Sequence, residues 1–156
     1  MTMRKRYFKR ILWWSLFTGW LVLTVYLSTQ DGTESAYLSQ DIALHLWRTL
    51  RSIFTNAFAD MRFIVFHRTF RKVTHFLIHF VLAFLLVRAS RWTFASKKTA
   101  LGFAWAFAIA VALVDEAVQL VSPGRVSAML DAGLNLGGAV LGALISSFLG
   151  PKKNLK

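Results

Sequence analysis

The sequence has 156 residues, the length of one domain, and 56% of them are hydrophobic. Because soluble domains are only about 45 to 50% apolar, and the mean hydropathy of this chain is +0.49, the composition excludes an ordinary soluble protein and indicates an integral membrane protein. The formal net charge of +12 would favour a nucleic-acid partner in a polar chain, but most basic residues lie at the ends of apolar runs, so we expect no nucleic acid.

Four apolar stretches can cross a bilayer as helices, since a core about 30 Å thick needs roughly 20 residues and about 17 can serve. They run from about 11 to 28, 73 to 87, 99 to 121 and 128 to 149. Backbone groups in lipid must find hydrogen-bond partners within their own segment, so all four are predicted to be helical. The sequence therefore predicts an all-α fold, with one domain over residues 1–156 built as a four-helix transmembrane bundle.

The segment between the first two apolar stretches is long enough to have a structure of its own. From about 39 to 60, apolar residues such as Ile42, Leu46 and Leu50 recur every three or four positions, and charged residues occupy the other faces. This pattern predicts an amphipathic helix in the first outer loop, which either lies flat on the outer leaflet or caps the bundle.

The basic residues are distributed unequally over the segments that flank the predicted spans. With the N-terminus in the cytoplasm, twelve of the nineteen Lys and Arg residues flank the inner face, and all seven acidic residues lie on the outer side. Cytoplasmic loops carry the excess of Lys and Arg in membrane proteins. The sequence therefore predicts a multi-pass protein of the cytoplasmic (inner) membrane with both termini in the cytoplasm.

Four sequence pieces occur in an order that is typical of a known family. From Asp115 the chain reads DEAVQLVSPGR, and from Asp131 it reads DAGLNLGGAVLG. The other two pieces are STQDGTES from Ser28 and RKVTHF from Arg71. Together they resemble the VanZ-like family of integral membrane proteins over about residues 20 to 149.

The resemblance implies a role in the cell envelope rather than a mechanism. The founding member of the family is associated with resistance to the glycopeptide antibiotic teicoplanin, which acts on cell-wall precursors outside the cytoplasmic membrane, and no reaction is firmly assigned to the family. The chain departs from the family pattern at Ile78 and His79, which stand where the family commonly has Glu and Tyr. Any role of that Glu is therefore absent here.

Polar side chains gather near the outer ends of the last three predicted spans, and each group keeps the spacing of one helix face. A carboxylate within a span costs roughly 2.5 to 3.5 kcal/mol, so these acids should have a partner or a function. We expect one shared site, with Glu116, His75 and Asp131 as candidate catalytic groups. The candidate ligand-binding residues are Arg71, Lys72, His75, Asp115, Glu116, Gln119, Arg125, Asp131 and Asn135.

Three interpretations of this polar layer remain open. It can hold the helices together, or it can bind a lipid-linked wall intermediate or another envelope amphiphile, in addition to the surrounding lipid. It can also belong to a hydrolase or transferase that acts on such a lipid, with Glu116 as general base and Arg125 stabilising the developing charge. Binding is slightly favoured because the sequence contains no nucleophile elbow or phosphatase signature, but whether the protein is an enzyme stays open.

Two further features bear on metals and on helix packing. Because His75 and His79 are four residues apart, they could hold a metal together with a carboxylate, but no complete metal motif supports them, so we expect no metal and no cofactor. The glycines at 133 and 137, and those at 138 and 142, form two GxxxG pairs. Such pairs allow close helix contact, which we expect within the bundle rather than between copies of the chain.

The predicted orientation can be tested by cysteine labelling, because the chain has no cysteine of its own. In intact cells a Thr33→Cys variant should react with an impermeant maleimide, and a Phe94→Cys variant should react only after permeabilisation, since the first position is predicted outside and the second inside. The reverse pattern would show that the topology is inverted.

Overall fold

The computed structural model describes residues 3–30, 32–54, 60–121 and 129–149, and this part of the chain is helical with short connections. The predicted all-α fold is confirmed. The helices are α1 (Met3–Thr29), α2 (Gly32–Ile53), α3 (Phe63–Thr93), α4 (Lys97–Val121) and α5 (Met129–Phe148).

Three of these helices, α1, α3 and α4, are each long and apolar enough to cross a membrane. The apolar part of α5, Ala132–Phe148, is shorter, but at about 1.5 Å per residue it still extends roughly 26 Å and approaches the thickness of the hydrocarbon core. It packs against α3 and α4. The chain is therefore a multi-pass membrane protein whose four apolar helices form the predicted bundle.

Helix α3 is the central element of the bundle, because it contacts each of the other four helices. Its 31 residues extend about 46 Å, which exceeds a hydrocarbon core of about 30 Å. The sequence predicted only 73–87 as a span because Arg68, Arg71 and Lys72 interrupt the apolar run, yet Arg and Lys are good helix formers and the helix continues through them. The buried apolar core around α3 consists of Phe17, Leu82, Ala83, Leu86, Val87, Ala104, Ala108, Ala139 and Ala143.

Two glycines of α5 bring that helix unusually close to α3. A Cβ atom at Gly138 would overlap the carbonyl oxygen of Phe76, and one at Gly142 would overlap that of Phe80. The second GxxxG pair therefore forms a backbone contact inside the bundle, as predicted. At Gly133, in the first pair, nothing lies within 4 Å of the position that a Cβ would occupy.

Helix α2 begins at Gly32 and ends at Ile53, whereas the sequence placed it at about 39 to 60. Glu34 lies in its first turn and Arg51 in its last, where their charges favour helix termini; residues 55–59 lie outside the described part. The helix packs on the N-terminal part of α3, with the rings of Trp47 and Phe63 5.7 Å apart. The helix is amphipathic, as predicted from the sequence. Its orientation parallel to the membrane stays a prediction.

One end of the bundle contains Lys9, Arg88 and Arg91, and we call it the basic end. Arg88 donates a hydrogen bond to the carbonyl oxygen of Leu149 (3.0 Å), and Arg91 donates one to that of Ser147 (3.1 Å). Lys9 lies over the ring of Trp92 at 5.1 Å. These side chains satisfy the last carbonyl groups of α5, and the cations at this end agree with a helix terminus at a membrane surface.

The close contact of α3 and α5 generates a stability prediction. A Gly142→Ala substitution should lower the free energy of unfolding by about 1 to 3 kcal/mol, because the added methyl group meets a backbone oxygen that cannot move without shifting a helix. Thermal unfolding of the purified protein in lipid nanodiscs measures this loss.

The matched control is Gly133→Ala on the same helix. Its methyl group meets nothing, so stability should stay unchanged or rise slightly, since Ala favours helix over Gly by about 1 kcal/mol. Equal loss in both variants would show that helix flexibility rather than helix contact accounts for the effect.

Candidate functional site

Four buried polar side chains meet inside the bundle, and each comes from a different apolar helix. They are Ser28 of α1, His79 of α3, Asp115 of α4 and Asn135 of α5. His79 is 1% exposed, Asp115 5% and Asn135 0%. We call this group the polar cluster. It lies toward the end of the bundle opposite the basic end, because α1 and α4 run toward it and α3 and α5 run away from it.

Asp115 is the centre of the polar cluster. Asn135 donates a hydrogen bond from Nδ2 to the Oδ2 atom of Asp115 at 3.1 Å, and the Ser28 hydroxyl donates to Oδ1. The Nε2 atom of His79 lies 3.4 Å from Oδ2. A carboxylate in a membrane span needs such partners, and here α1 and α5 supply the hydrogen bonds while α3 supplies the nearby imidazole.

A cavity of about 330 Å³ adjoins the polar cluster and reaches the surface beside α2. This volume lies at the small end of the range for ligand sites, about 300 to 1,000 Å³. The surface that the lining exposes is mostly apolar, although many of the lining residues are polar. The apolar side chains include Tyr26, Leu27, Leu38, Ile42, Phe70 and Ile78. The polar lining consists of Thr24, Ser28, Gln30, Ser35, Ser39, Arg71, Thr74, His75, His79 and Asp115.

The cavity brings together some of the residues that the sequence singled out. Arg71, His75 and Asp115 line it. Asn135 is not a lining residue, but it donates a hydrogen bond to Asp115. Lys72 is exposed. The side chains of Gln119 and Asp131, and all of Arg125, lie outside the described part, so their membership of a shared site stays a prediction.

The two adjacent acids occupy different positions. Asp115 is buried and lines the cavity, whereas Glu116 is half-buried and is not among the described lining residues. Successive residues of an α-helix point about 100° apart, so only one acid of the pair can face the cluster. The sequence interpretation emphasised Glu116, and the geometry places Asp115 at the centre.

Two members of the cluster were not among the candidate catalytic or ligand-binding residues named from the sequence. Ser28 is the first residue of the STQDGTES piece, so a motif already marked its position, although not its buried contact. His79 shares a face with Lys72 and His75 by spacing, and it is one of the two positions that depart from the family pattern. This departure from the family pattern was the sequence feature that could have indicated that His79 belongs to the cluster.

The cluster contains Ser, His and Asp, but it is not arranged as a hydrolytic triad. In such a triad the imidazole lies between the hydroxyl and the carboxylate and takes the proton of the nucleophile. Here the carboxylate of Asp115 lies between Ser28 and His79, so the imidazole does not contact the hydroxyl. Within the described ranges, no group of three His, Cys, Asp or Glu side chains is close enough to hold a metal ion.

Comparison with known proteins identifies one related family. The profile of the VanZ/LLP1 family matches residues 13–150, a segment that contains the whole polar cluster and every residue of the cavity. No curated protein and no solved structure matches the chain.

The position of Asp115 leads to a prediction about Ser28. A Ser28→Ala substitution should lower the free energy of unfolding by about 1 to 3 kcal/mol, because it removes a donor from a buried carboxylate that joins helices. Ser147→Ala is the control, since the Ser147 hydroxyl donates only to the carbonyl oxygen of Ala143 in its own helix. Thermal unfolding in nanodiscs compares the two, and a loss at position 147 as large as that at 28 would contradict the central role of Asp115.

Proposed function

This chain belongs to the VanZ/LLP1 family, as its motifs predicted, and from that premise we propose that it binds an anionic amphiphile of the cell envelope in the cavity beside the polar cluster. In the predicted orientation the cavity lies at the outer leaflet, where lipid-linked wall intermediates are exposed. Binding such a molecule would shield it from agents that act outside the membrane, such as glycopeptides. The observation that carries the proposal is the lining of the cavity, which exposes a mostly apolar surface and also contains a guanidinium group.

The apolar part of the ligand is inferred from side chains that both line the cavity and reach the surface. Tyr26 of α1 is 54% exposed, and Leu38 and Ile42 of α2 are 50% and 63% exposed. In a membrane protein an apolar surface between two helices meets lipid chains rather than water. The opening between α1 and α2 therefore supports entry of a hydrocarbon chain from the bilayer.

The anionic part of the ligand is inferred from the polar side chains of α3. Arg71 and His75 are four residues apart, so they share one face of the helix, and both line the cavity. A guanidinium group can bind phosphate or carboxylate through two parallel hydrogen bonds. The combination of a cationic group and an apolar wall supports a lipid phosphate or a related headgroup as the ligand.

The alternative function, a hydrolase or transferase with Glu116 as general base, receives less support from the geometry. A general base must lie within hydrogen-bond reach of the proton it removes. Among the described residues that line the cavity, the acid is Asp115, and Glu116 is absent from the lining. Asp115 is in turn already engaged by Ser28 and Asn135. These contacts support binding.

The proposed function predicts a difference between two arginines that lie one helical turn apart. Arg71→Gln should weaken binding of fluorescent lysophosphatidylglycerol to the protein in detergent micelles by at least about tenfold, because a hydrogen bond to a charged group contributes roughly 1.5 to 3 kcal/mol. Arg68→Gln should change the affinity less than about twofold. Arg68 is exposed and does not line the cavity, so both variants lose one positive charge and only one loses a cavity contact.

The same pair of variants can be compared in cells by measuring teicoplanin susceptibility at matched membrane levels of the protein. If the proposal is correct, a change produced by the wild-type protein is lost with Arg71→Gln and kept with Arg68→Gln. Equal weakening of lipid binding by both substitutions would show that general charge attraction, not the cavity, retains the lipid, and would overturn the proposal.

A further inference from the structure

The imidazole of His79 is held in one orientation by its own helix. Its Nδ1 atom lies 3.2 Å from the backbone carbonyl oxygen of His75, and the side chain is 1% exposed. A carbonyl oxygen can only accept a hydrogen bond, so Nδ1 must carry the hydrogen. In a neutral imidazole the other nitrogen, Nε2, then has a lone pair and no hydrogen.

This Nε2 atom faces a second acceptor. It lies 3.4 Å from the Oδ2 atom of Asp115, and a carboxylate oxygen has lone pairs only. Within the described residues, no hydrogen-bond donor reaches the buried Nε2 atom. This arrangement is unfavourable in a buried, low-dielectric position, because the Nε2 atom has lost its water without gaining a hydrogen bond.

The described donors of the cluster do not reach the Nε2 atom of His79. The Nδ2 group of Asn135 donates to Oδ2 itself, so it points to the carboxylate and not to the imidazole. The single hydrogen of the Ser28 hydroxyl is near two acceptors, Oδ1 of Asp115 and, at 2.8 Å, the carbonyl oxygen of Thr24. Among the described residues, these donors are therefore directed at acceptors other than Nε2.

We propose that His79 and Asp115 form a proton-binding site that holds one proton between them. The proton bonds either to Nε2, giving an imidazolium beside a carboxylate, or to Asp115, giving a carboxylic acid that donates to Nε2. In both forms each facing atom gains a hydrogen bond, and the pair has no net charge. The proton comes from a hydronium ion of the aqueous phase, whose O–H bond breaks as the new N–H or O–H bond forms, and a water molecule is released. The inference does not depend on the proposed lipid ligand.

The described titratable neighbours of the pair come from α1, α3 and α4. Of the titratable side chains that line the same cavity, Tyr26 comes from α1, and Arg71 and His75 come from α3. The cavity-lining residues of α2 are uncharged: Ser35, Leu38, Ser39 and Ile42. From α5 the described neighbour is the neutral Asn135, and on α4 the adjacent acid is Glu116.

The cavity also provides a route for the proton. Both His79 and Asp115 line it, so protons can reach the pair without crossing the apolar core.

Nitrogen NMR on the full-length protein, labelled with ¹⁵N-histidine and incorporated in lipid nanodiscs, reads the hydrogens on each ring atom. A His79→Gln variant assigns the signal by its loss. A chain with Gln at the other three histidines, His45, His67 and His75, assigns it again without changing the pair. Infrared difference spectra between the wild type and Asp115→Asn report whether Asp115 carries a proton.

Near neutral pH the proposal requires a protonated Nδ1 together with one further proton. The further proton is observed in one of two ways. Either the NMR signal shows a protonated Nε2 and the infrared spectrum an ionised Asp115, or the NMR signal shows a hydrogen-bonded Nε2 and the infrared spectrum a carboxylic acid band. Asp115→Asn should abolish the further proton and change the His79 signal, while Glu116→Gln, the adjacent acid, should leave the signal unchanged.

Three results would overturn the proposal. The first is a His79 with hydrogen on Nε2 and none on Nδ1, which would make the contact an ordinary hydrogen bond from a neutral imidazole. The second is a neutral imidazole beside an ionised Asp115 with no proton between them. The third is a His79 signal that changes when sodium ions are replaced by choline at constant pH, which would assign the site to a metal cation instead.

Discussion

A carboxylate buried within a membrane bundle is the constraint on which this structure depends. In lipid there is no water to solvate Asp115, so its hydrogen-bond partners must come from the protein. Ser28, His79 and Asn135 meet it from three different helices. If one helix rotated or slid relative to the others, this group would lose a hydrogen-bond partner. The polar cluster therefore fixes the register of the helices, whereas apolar contacts alone would allow several registers. Apolar side chains in lipid gain little from contacting each other rather than lipid tails.

The glycines of α5 make this arrangement sterically accessible. Because Gly138 and Gly142 have no side chain, α5 approaches the backbone of α3 at Phe76 and Phe80. The same register places Asn135, one turn before Gly138, beside Asp115. Close packing at one end of the α3–α5 contact and polar pairing at the other therefore act together. A bulkier residue at either glycine would separate the helices and move the amide away from the carboxylate.

The sequence was sufficient for the helices but only in part for the site. Apolar runs of about 20 residues are a local property, so the four-helix bundle and the family could be predicted from them and from the motifs. Which acid of the Asp115 and Glu116 pair faces inward depends on helix rotation, which is set by partners on other helices. In the sequence, Ser28 is a polar residue at the end of a predicted helix. Its burial becomes evident only when α4 is placed beside it. Likewise the start of α2 at Gly32 lies in a polar stretch whose composition is that of a loop.

The carboxylate of Asp115 also connects the two proposals, because it belongs both to the proton-binding pair and to the cavity wall. Its carboxylate links α1, α4 and α5, and it forms part of the cavity wall beside Arg71. With a proton on the pair the inner wall has no net charge, and without it the wall carries a negative charge that opposes an anionic headgroup. By thermodynamic linkage, a ligand that binds better to the protonated pair must raise proton affinity by the same factor. Proton binding and amphiphile binding then support each other, and both act on the carboxylate that holds the helices together.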